Sequence, residues 1–522
     1  MAWRVYEKTF LIAALLIAGG CMVGPDYETP KAPTAEGWVE GKNPQLKTET
    51  EEKAEWWKVF NDPVLDKLVG MAYSQNLTLR TAGLRVLEAR AQRGVKVGEF
   101  FPQVQQATGE YQRINLSRKT AGGSPNPFSN NWAYGADASW ELDVWGQFRR
   151  GIESADASLY SWVFNYDDAL VTLVSDVATA YVNIRAFDER LALARENVTV
   201  QQRSLDIAQA RFQAGGTTEL DVQQAKSLLA STQSYIPVFE IGRRQAENQL
   251  CILLGTPTRQ LSDLLGEAKP IPSAPPSVAV GIPAALIRRR PDVRRAEQDA
   301  AAQCAQIGVA KADLYPAFSI SGAFGWQASS FGGMFNEKAF AGNVGPSFQW
   351  NLFNYGQIKN KVRAQDALFQ QKITIYQNTV LQAGQEVEDA IVSYLQSQEQ
   401  ARYLADSVAA SKRSVELSLI QYQTGGADYT RVLQSETFLV QQQDALVVSH
   451  RDVALGLIAL NKALGGGWQM REGKEFVDEE TMKRMRERTN WGDVTNPDYS
   501  KKSDMLIFPR PDTDKEPKAP AK

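Results

Sequence analysis

Carboxylates are the side chains in this sequence whose type and spacing could do chemistry. Asp137, Glu141 and Asp143 alternate with other residues along one face of a candidate strand, and Asp221 and Asp428 stand near the starts of two candidate helices. Acids repeated around a narrow passage attract cations and make constriction sensitive to charge. At a helix start an acid is also favoured by the helix dipole alone, so both readings stay open for Asp221 and Asp428. Acid and base work on a polymer would need two carboxylates fixed across a compact cleft, whereas these recur down strand and helix faces. The chain has one histidine, His450, in 522 residues, which excludes a His-rich metal site and argues against a catalytic triad. No phosphate-binding G-x-x-x-x-G-K-[ST] run occurs. No catalytic residue and no metal ligand is therefore assigned.

The elements that must position these acids repeat. Phe212-Gln213-Ala214-Gly215-Gly216 returns 210 residues later as Tyr422-Gln423-Thr424-Gly425-Gly426, and Trp140-Glu141-Leu142 returns as Trp350-Asn351-Leu352. Two copies of one strand-helix-helix unit are fused head to tail. Residues 146–213 contain no proline and carry an unbroken helical period, which at 1.5 Å per residue predicts a helix roughly 100 Å long. Gly215 and Gly216 end it, and a helix of about half that length returns over 218–254. The second copy repeats this over 356–422 and 428–464, with Gly425 and Gly426 at the corner. Thr218 or Asp428 can cap the returning helices, and glycine tolerates the left-handed geometry that ends the descending ones. Segments 64–98 and 284–312 have the length and position to complete the two shorter columns. Asp292 is the expected cap of the latter, with a neighbouring arginine tying the linker to nearby acids.

Residues 132–144 alternate strictly, with Trp132, Tyr134, Trp140 and Leu142 on one face and Gly135, Asp137, Glu141 and Asp143 on the other. The pattern returns at Phe318, Ile320, Phe324 and Trp326, with a partner strand through Val344, Pro346, Phe348, Trp350 and Leu352. A less regular companion strand is expected at 103–115. Such segments are long enough to cross a bilayer when tilted.

Arg4 and Lys8 precede an apolar run from Phe10 to Ile17, and Ala18-Gly19-Gly20 sets small residues before Cys21. The run is shorter than the about 20 apolar residues that cross hydrocarbon, so residues 1–20 read as a secretory signal. The stretch resembles the bacterial lipoprotein box, whose cysteine receives lipid, and Met22 in place of aspartate favours outer-membrane sorting. A covalent lipid on Cys21 is expected, and no other cofactor. Cys251 and Cys304 sit in helical contexts as small hydrophobes. With a net charge of −3 and no concentrated basic patch beyond Arg288-Arg289-Arg290, nucleic acid is not an expected partner.

Two strands per copy give four per chain, too few to enclose a pore, while a sheet in lipid must close because open edges leave backbone groups unpaired. Two chains would give eight strands around a packed interior, and three would give twelve around a channel. The expected fold is a mixed α/β membrane channel: a homotrimeric, twelve-stranded transmembrane β-barrel continued by a long α-helical coiled-coil tunnel, approximately six-fold because of the repeat. Asp137, Glu141 and Asp143 would face its lumen. The chain divides into a signal peptide (1–20), an extended N-terminal arm (21–62), two repeats (63–280 and 281–468) and a tail (469–522) that either wraps the tunnel's equator or stays disordered.

Several stretches carry a resemblance to a known family: Cys21-Met22-Val23-Gly24-Pro25-Asp26-Tyr27, the run from Trp56 to Leu65, Ile287-Arg288-Arg289-Arg290-Pro291-Asp292-Val293, and Ala463-Leu464-Gly465-Gly466-Gly467-Trp468. The chain resembles the bacterial outer-membrane efflux factors, specifically their lipid-anchored branch. That resemblance implies a passive, gated exit duct of a tripartite system that exports small toxic compounds. It also implies a periplasmic adaptor as partner at the helical tips and an inner-membrane pump, expected to be proton-driven, as the source of energy. The outer membrane would be the chain's location and its lipid a contact. Gly215, Gly216, Gly425 and Gly426 would then be adaptor contacts as well as tight turns. Relatives often carry an acid where this chain has Gln434, within Leu433-Gln434-Ser435-Glu436; a shift of two positions turns a side chain about 200° around a helix, so Glu436 is not assigned that role. Gate candidates are Asp221, Asp428 and Gln434. A duct for metal ions or proteins, an enzyme acting on envelope polymers and a structural periplasmic coiled coil are the alternatives.

Overall fold

The computed structural model describes residues 22–47, 54–115, 117, 128–281 and 288–495. Cys21, the signal segment 1–20 and the end of the tail, 496–522, lie outside the described residues.

Helix α1 (Pro63–Gln75) starts where Asp62 accepts the Val64 N–H at 2.9 Å and proline occupies the first helical position. The expected single helix to residue 98 is broken at Asn76, which ends α1 and whose side chain caps α2 (Leu77–Gly98) by accepting the Leu79 N–H at 2.8 Å. Strands β1 (Val104–Asn115) and β2 (Phe128–Leu142) follow, then α3 (Gln147–Gln213) and α4 (Glu219–Leu253). The second half runs α5 (Pro291–Ala312), β3 (Ala317–Ala328), β4 (Phe340–Gln349), α6 (Gln357–Gln423) and α7 (Tyr429–Ala463). Helix α5 starts at Pro291, so Asp292 lies inside it and accepts from Arg290 Nε at 3.0 Å and Nη2 at 2.8 Å rather than capping it. Arg290 also reaches Glu386 at 2.6 Å, which is the tie to a neighbouring acid that the sequence suggests.

The four strands form one antiparallel sheet in the order β1-β2-β3-β4, leaving β1 and β4 as open edges. In register, Tyr134 opposes Trp326 and Phe318 opposes Phe348, so the apolar faces of the two copies coincide. The Tyr134 and Trp326 rings stack with centroids 5.0 Å apart. No residue of the four strands is buried. A sheet resting on a soluble core would bury one face; this one covers neither.

Helices α3 and α6 are 67 residues each, and α4 and α7 are 35 each. The shorter columns are completed end to end. Asn76, at the start of α2, donates its side-chain N–H to the Leu253 carbonyl of α4 at 2.8 Å. Arg290, at the start of α5, donates to the Ala463 carbonyl of α7 at 2.7 Å. Each donor satisfies a carbonyl that a helix end leaves without a partner. Around these joints lies the main core, where Trp56, Leu68, Val177, Tyr181, Leu250, Tyr394 and Leu457 pack together. The most apolar stretch of α3 is long enough to cross a membrane but is mostly buried in the helical body.

The N-terminal arm is strapped to the outside. Val23 N–H bonds Trp145 O at 3.0 Å, Gln377 bonds Lys31 O at 3.0 Å, Glu388 accepts from Val39 N at 2.8 Å, and Leu46–Lys47 pairs with Val278–Ala279. Beyond the repeats, α8 (Glu479–Arg488) buries Met482 and Met485 with Val477 against Leu87 of α2. This part of the tail packs against α2.

Candidate functional site

Both hairpins turn through the same capping motif. The Gly215 and Gly216 N–H groups bond Phe212 O at 2.9 Å and Arg211 O at 2.8 Å, and Gly425 and Gly426 bond Tyr422 O at 3.1 Å and Gln421 O at 2.8 Å. The first glycine of each pair has φ of +74° and +81°. These are the two bonds of the Schellman motif, which leaves the next residues free to reverse direction. Thr218 and Asp428 occupy the cap positions of α4 and α7, yet neither side chain makes a capping hydrogen bond.

The two tips are fastened to each other. The Tyr422 hydroxyl donates to Asp221 Oδ2 at 3.2 Å, and the Thr217 hydroxyl donates to the same oxygen. Arg211 donates to Gly216 O at 3.1 Å while its guanidinium lies 4.6 Å from the centre of the Tyr422 ring. Tyr422 packs edge-on against Tyr429 with centroids 5.3 Å apart, both buried among Leu205, Val222 and Val432. Burial pushes the Tyr422 hydroxyl above its ordinary pKa, and the Asp221 charge pushes it further while Thr217 opposes it. The hydroxyl therefore stays protonated and donates to the carboxylate across the two hairpins.

About two turns further along α7 from Tyr429, Glu436 is 2% exposed and accepts from the Ser204 hydroxyl of α3 at 2.5 Å. Its other oxygen has no hydrogen-bond partner, and neither has the buried amide of Gln201, three residues before Ser204 on α3. Burial raises the Glu436 pKa and the Ser204 bond offsets part of that. Higher on the same helix pair, Asn197 bonds Gln443 at 2.8 Å, and Arg190 forks onto Asp444 at 2.7 and 3.0 Å beneath the Phe239 ring. Polar pairs thus punctuate the seam between the repeats, between the apolar clusters at its tip and at the main core.

Of the gate candidates, Asp221 is brought into the tip cluster, whereas Asp428 and Gln434 are exposed on α7 and meet no partner in it. On the sheet, Asp137 accepts from Gln106 at 2.8 Å and Glu141 lies one residue from the end of β2. Asp143 departs from expectation. It lies past the strand end, its side chain is 5% exposed, and it accepts from Phe148 N and Arg149 N at 3.0 Å and from Arg149 Nε at 2.9 Å. It pins the first turn of α3 instead of lining a strand face, because the two orphan N–H groups and a guanidinium are its nearest donors. Tyr422, Arg211 and Ser204 were not singled out from sequence; the one visible signal was the hydroxyl that distinguishes Tyr422 from its repeat counterpart Phe212. Among the described residues no group of three or more His, Cys, Asp or Glu could hold a metal ion, and Cys251 and Cys304 are free and buried.

The sequence model of the family described as outer membrane efflux protein matches residues 68–256 and 282–466. The chain belongs to that family. Nodulation protein T of Rhizobium leguminosarum bv. viciae is 30% identical over 458 residues, covering 87% of this chain and 92% of that protein. The solvent efflux pump outer membrane protein SrpC of Pseudomonas putida is 28% identical over 471 residues, 89% of this chain and 99% of that one. The solved structure of the outer-membrane channel OprN aligns over 86% of this chain and 100% of its own with a TM-score of 0.80 and 31% identity. This efflux protein accordingly has the fold of a trimeric outer membrane channel, a β-barrel continued by a helical tunnel. Four strands per chain with two open edges make one third of a twelve-stranded wall. The chain is an outer membrane component of an efflux system.

Proposed function

We propose that the chain is a passive duct, closed at its helical tips by Tyr422 and Asp221, through which small toxic compounds delivered by an inner-membrane pump leave the cell. The observation that carries the gate is the hydrogen bond from Tyr422 to Asp221, which joins two hairpins that must separate for the narrow end to widen. Asp428 and Gln434, exposed on α7, would line the constriction, and Asp137 and Glu141 the barrel lumen. Gly215, Gly216, Gly425 and Gly426 would meet a periplasmic adaptor that couples the duct to a proton-driven pump. The cargo class follows the solvent efflux relative. Residues 63–280 and 281–468 act as two equivalent wall units, and no catalytic step is assigned to either.

A lipid on Cys21 is part of this reading. Met22 lies against Gly146, and Val23 bonds Trp145 at the junction of strand and helix, so an acyl chain on the preceding residue would enter the bilayer at the barrel's rim.

Reconstitution into planar bilayers tests the duct. The purified chain should give single channels of low conductance that rise when Asp221 is replaced by alanine. A strain lacking the gene should accumulate and succumb to apolar toxicants, and absence of both effects would exclude this function.

A further inference from the structure

The 210-residue repeat relates contacts as well as elements. The carbonyls of Leu253 and Ala463, 210 residues apart, each receive a side-chain donor from the start of the next column helix. In a ring of three such chains every hairpin has two neighbours. The first hairpin meets the second within a chain, and the second meets the first of the next copy across the subunit boundary. Cyclic closure makes these two junctions counterparts of each other, with each residue exchanged for the one 210 positions away.

Under that exchange Tyr422 becomes Phe212 and Asp221 becomes Arg431. The chemistry changes from hydroxyl on carboxylate to ring beside guanidinium. The same inversion occurs at the buried acid, where Glu436 exchanges with Lys226. In the single chain Phe212 is 44% exposed, its neighbour across the turn, Leu220, is 63% exposed, and Arg431 is exposed with no ion pair among the described residues. Exposed apolar side chains of this size at one tip, opposite a free cation at the other, suit a second copy of this chain.

We propose that at each boundary between copies Phe212 of one chain lies against the partner's Arg431, a cation–π contact standing where Tyr422 and Asp221 stand within the chain. The closed end then holds two kinds of latch in alternation, one made by a carboxylate and one by a guanidinium. This rests on the trimeric channel with closure at its tips.

Cross-linking of the full-length protein in detergent tests it. In a Cys251→Ala, Cys304→Ala background, Phe212→Cys with Arg431→Cys should give covalent dimers and trimers with a short bifunctional thiol reagent, and neither single cysteine should. A light-scattering trimer that yields only monomers after treatment would overturn the contact while leaving the channel intact. A monomeric, non-conducting sample would overturn the channel reading beneath it. In bilayers, Phe212→Leu and Arg431→Gln should each shift the open to closed ratio roughly 2- to 5-fold per junction, with Phe212→Trp retaining closure. An unchanged ratio in both would refute the latch.

Discussion

Tyr422 and Asp221, 201 residues apart in sequence, meet through a 3.2 Å hydrogen bond that spans the tips of the two hairpins. Tyr422→Phe removes the donor and keeps the ring under Arg211 and against Tyr429. A hydrogen bond of this kind contributes about 1 kcal/mol, so each chain's tips should open roughly 5-fold more readily. Single-channel recording should show higher open occupancy with an unchanged melting temperature, and identical gating would remove Tyr422 from the closure.

Glu436 should make the seam between repeats sensitive to pH. Its pKa in the folded chain is raised above the ordinary 4.5 by burial, so the native state favours the protonated form. The associated stability is fully present below the ordinary value and is lost as pH rises through the folded one. Glu436→Gln should therefore raise the melting temperature of the detergent-solubilised protein at pH 8 and change it little at pH 4. The opposite ordering would mean that the carboxylate finds a cation in the assembly.

Arg185 is a structural test of the equator. Buried at 1% exposure, it donates to Leu265 O at 2.7 Å, Glu267 O at 3.0 Å, the Tyr181 hydroxyl at 3.1 Å and Asp188 at 3.3 Å. Arg185→Leu strands these acceptors and should cost about 3–5 kcal/mol. Arg185→Lys cannot reproduce the fork and should recover only part of that. Denaturant unfolding, with limited proteolysis of the segment at 262–267, would measure both.

Gly215 separates turn geometry from docking. A Cβ there would meet nothing within 4 Å, but its φ of +74° strains any L side chain. Gly215→Ala should cost about 1 kcal/mol and Gly215→Asn less, since asparagine tolerates this conformation. If the tip shape is what an adaptor reads, adaptor binding measured by calorimetry should fall for alanine and persist for asparagine. Equal affinity for all three would place the docking surface elsewhere.

The repeat, the long helices and the apolar strand faces were legible because their signals are local or periodic. Helix ends at Gln213 and Gln423 are written in glycine pairs, and the shared face of Tyr134 and Trp326 agrees with the alternation, though their register does not follow from it. What escaped was set by distant partners. Nothing near Asp221 announces Tyr422, and nothing near Asp143 except the arginine six positions on hints that it turns back to hold α3. Helix α8 was hidden because its buried apolar residues, Met482 and Met485, are too sparse to set a period among charged neighbours. Glu436 looked like a displaced acid; its burial follows from facing α3 rather than the exposed side where Gln434 sits.

The equal lengths of α3 and α6, 67 residues each, impose bookkeeping on any heritable change. One residue gained in either arm lowers its tip by about 1.5 Å and swings it through about 100°, tilting the rim so that alternate corners no longer share a plane. Insertions should thus be tolerated only as matched pairs, or in multiples that restore the helical phase, which makes the two halves of the gene evolve as a single calibrated length.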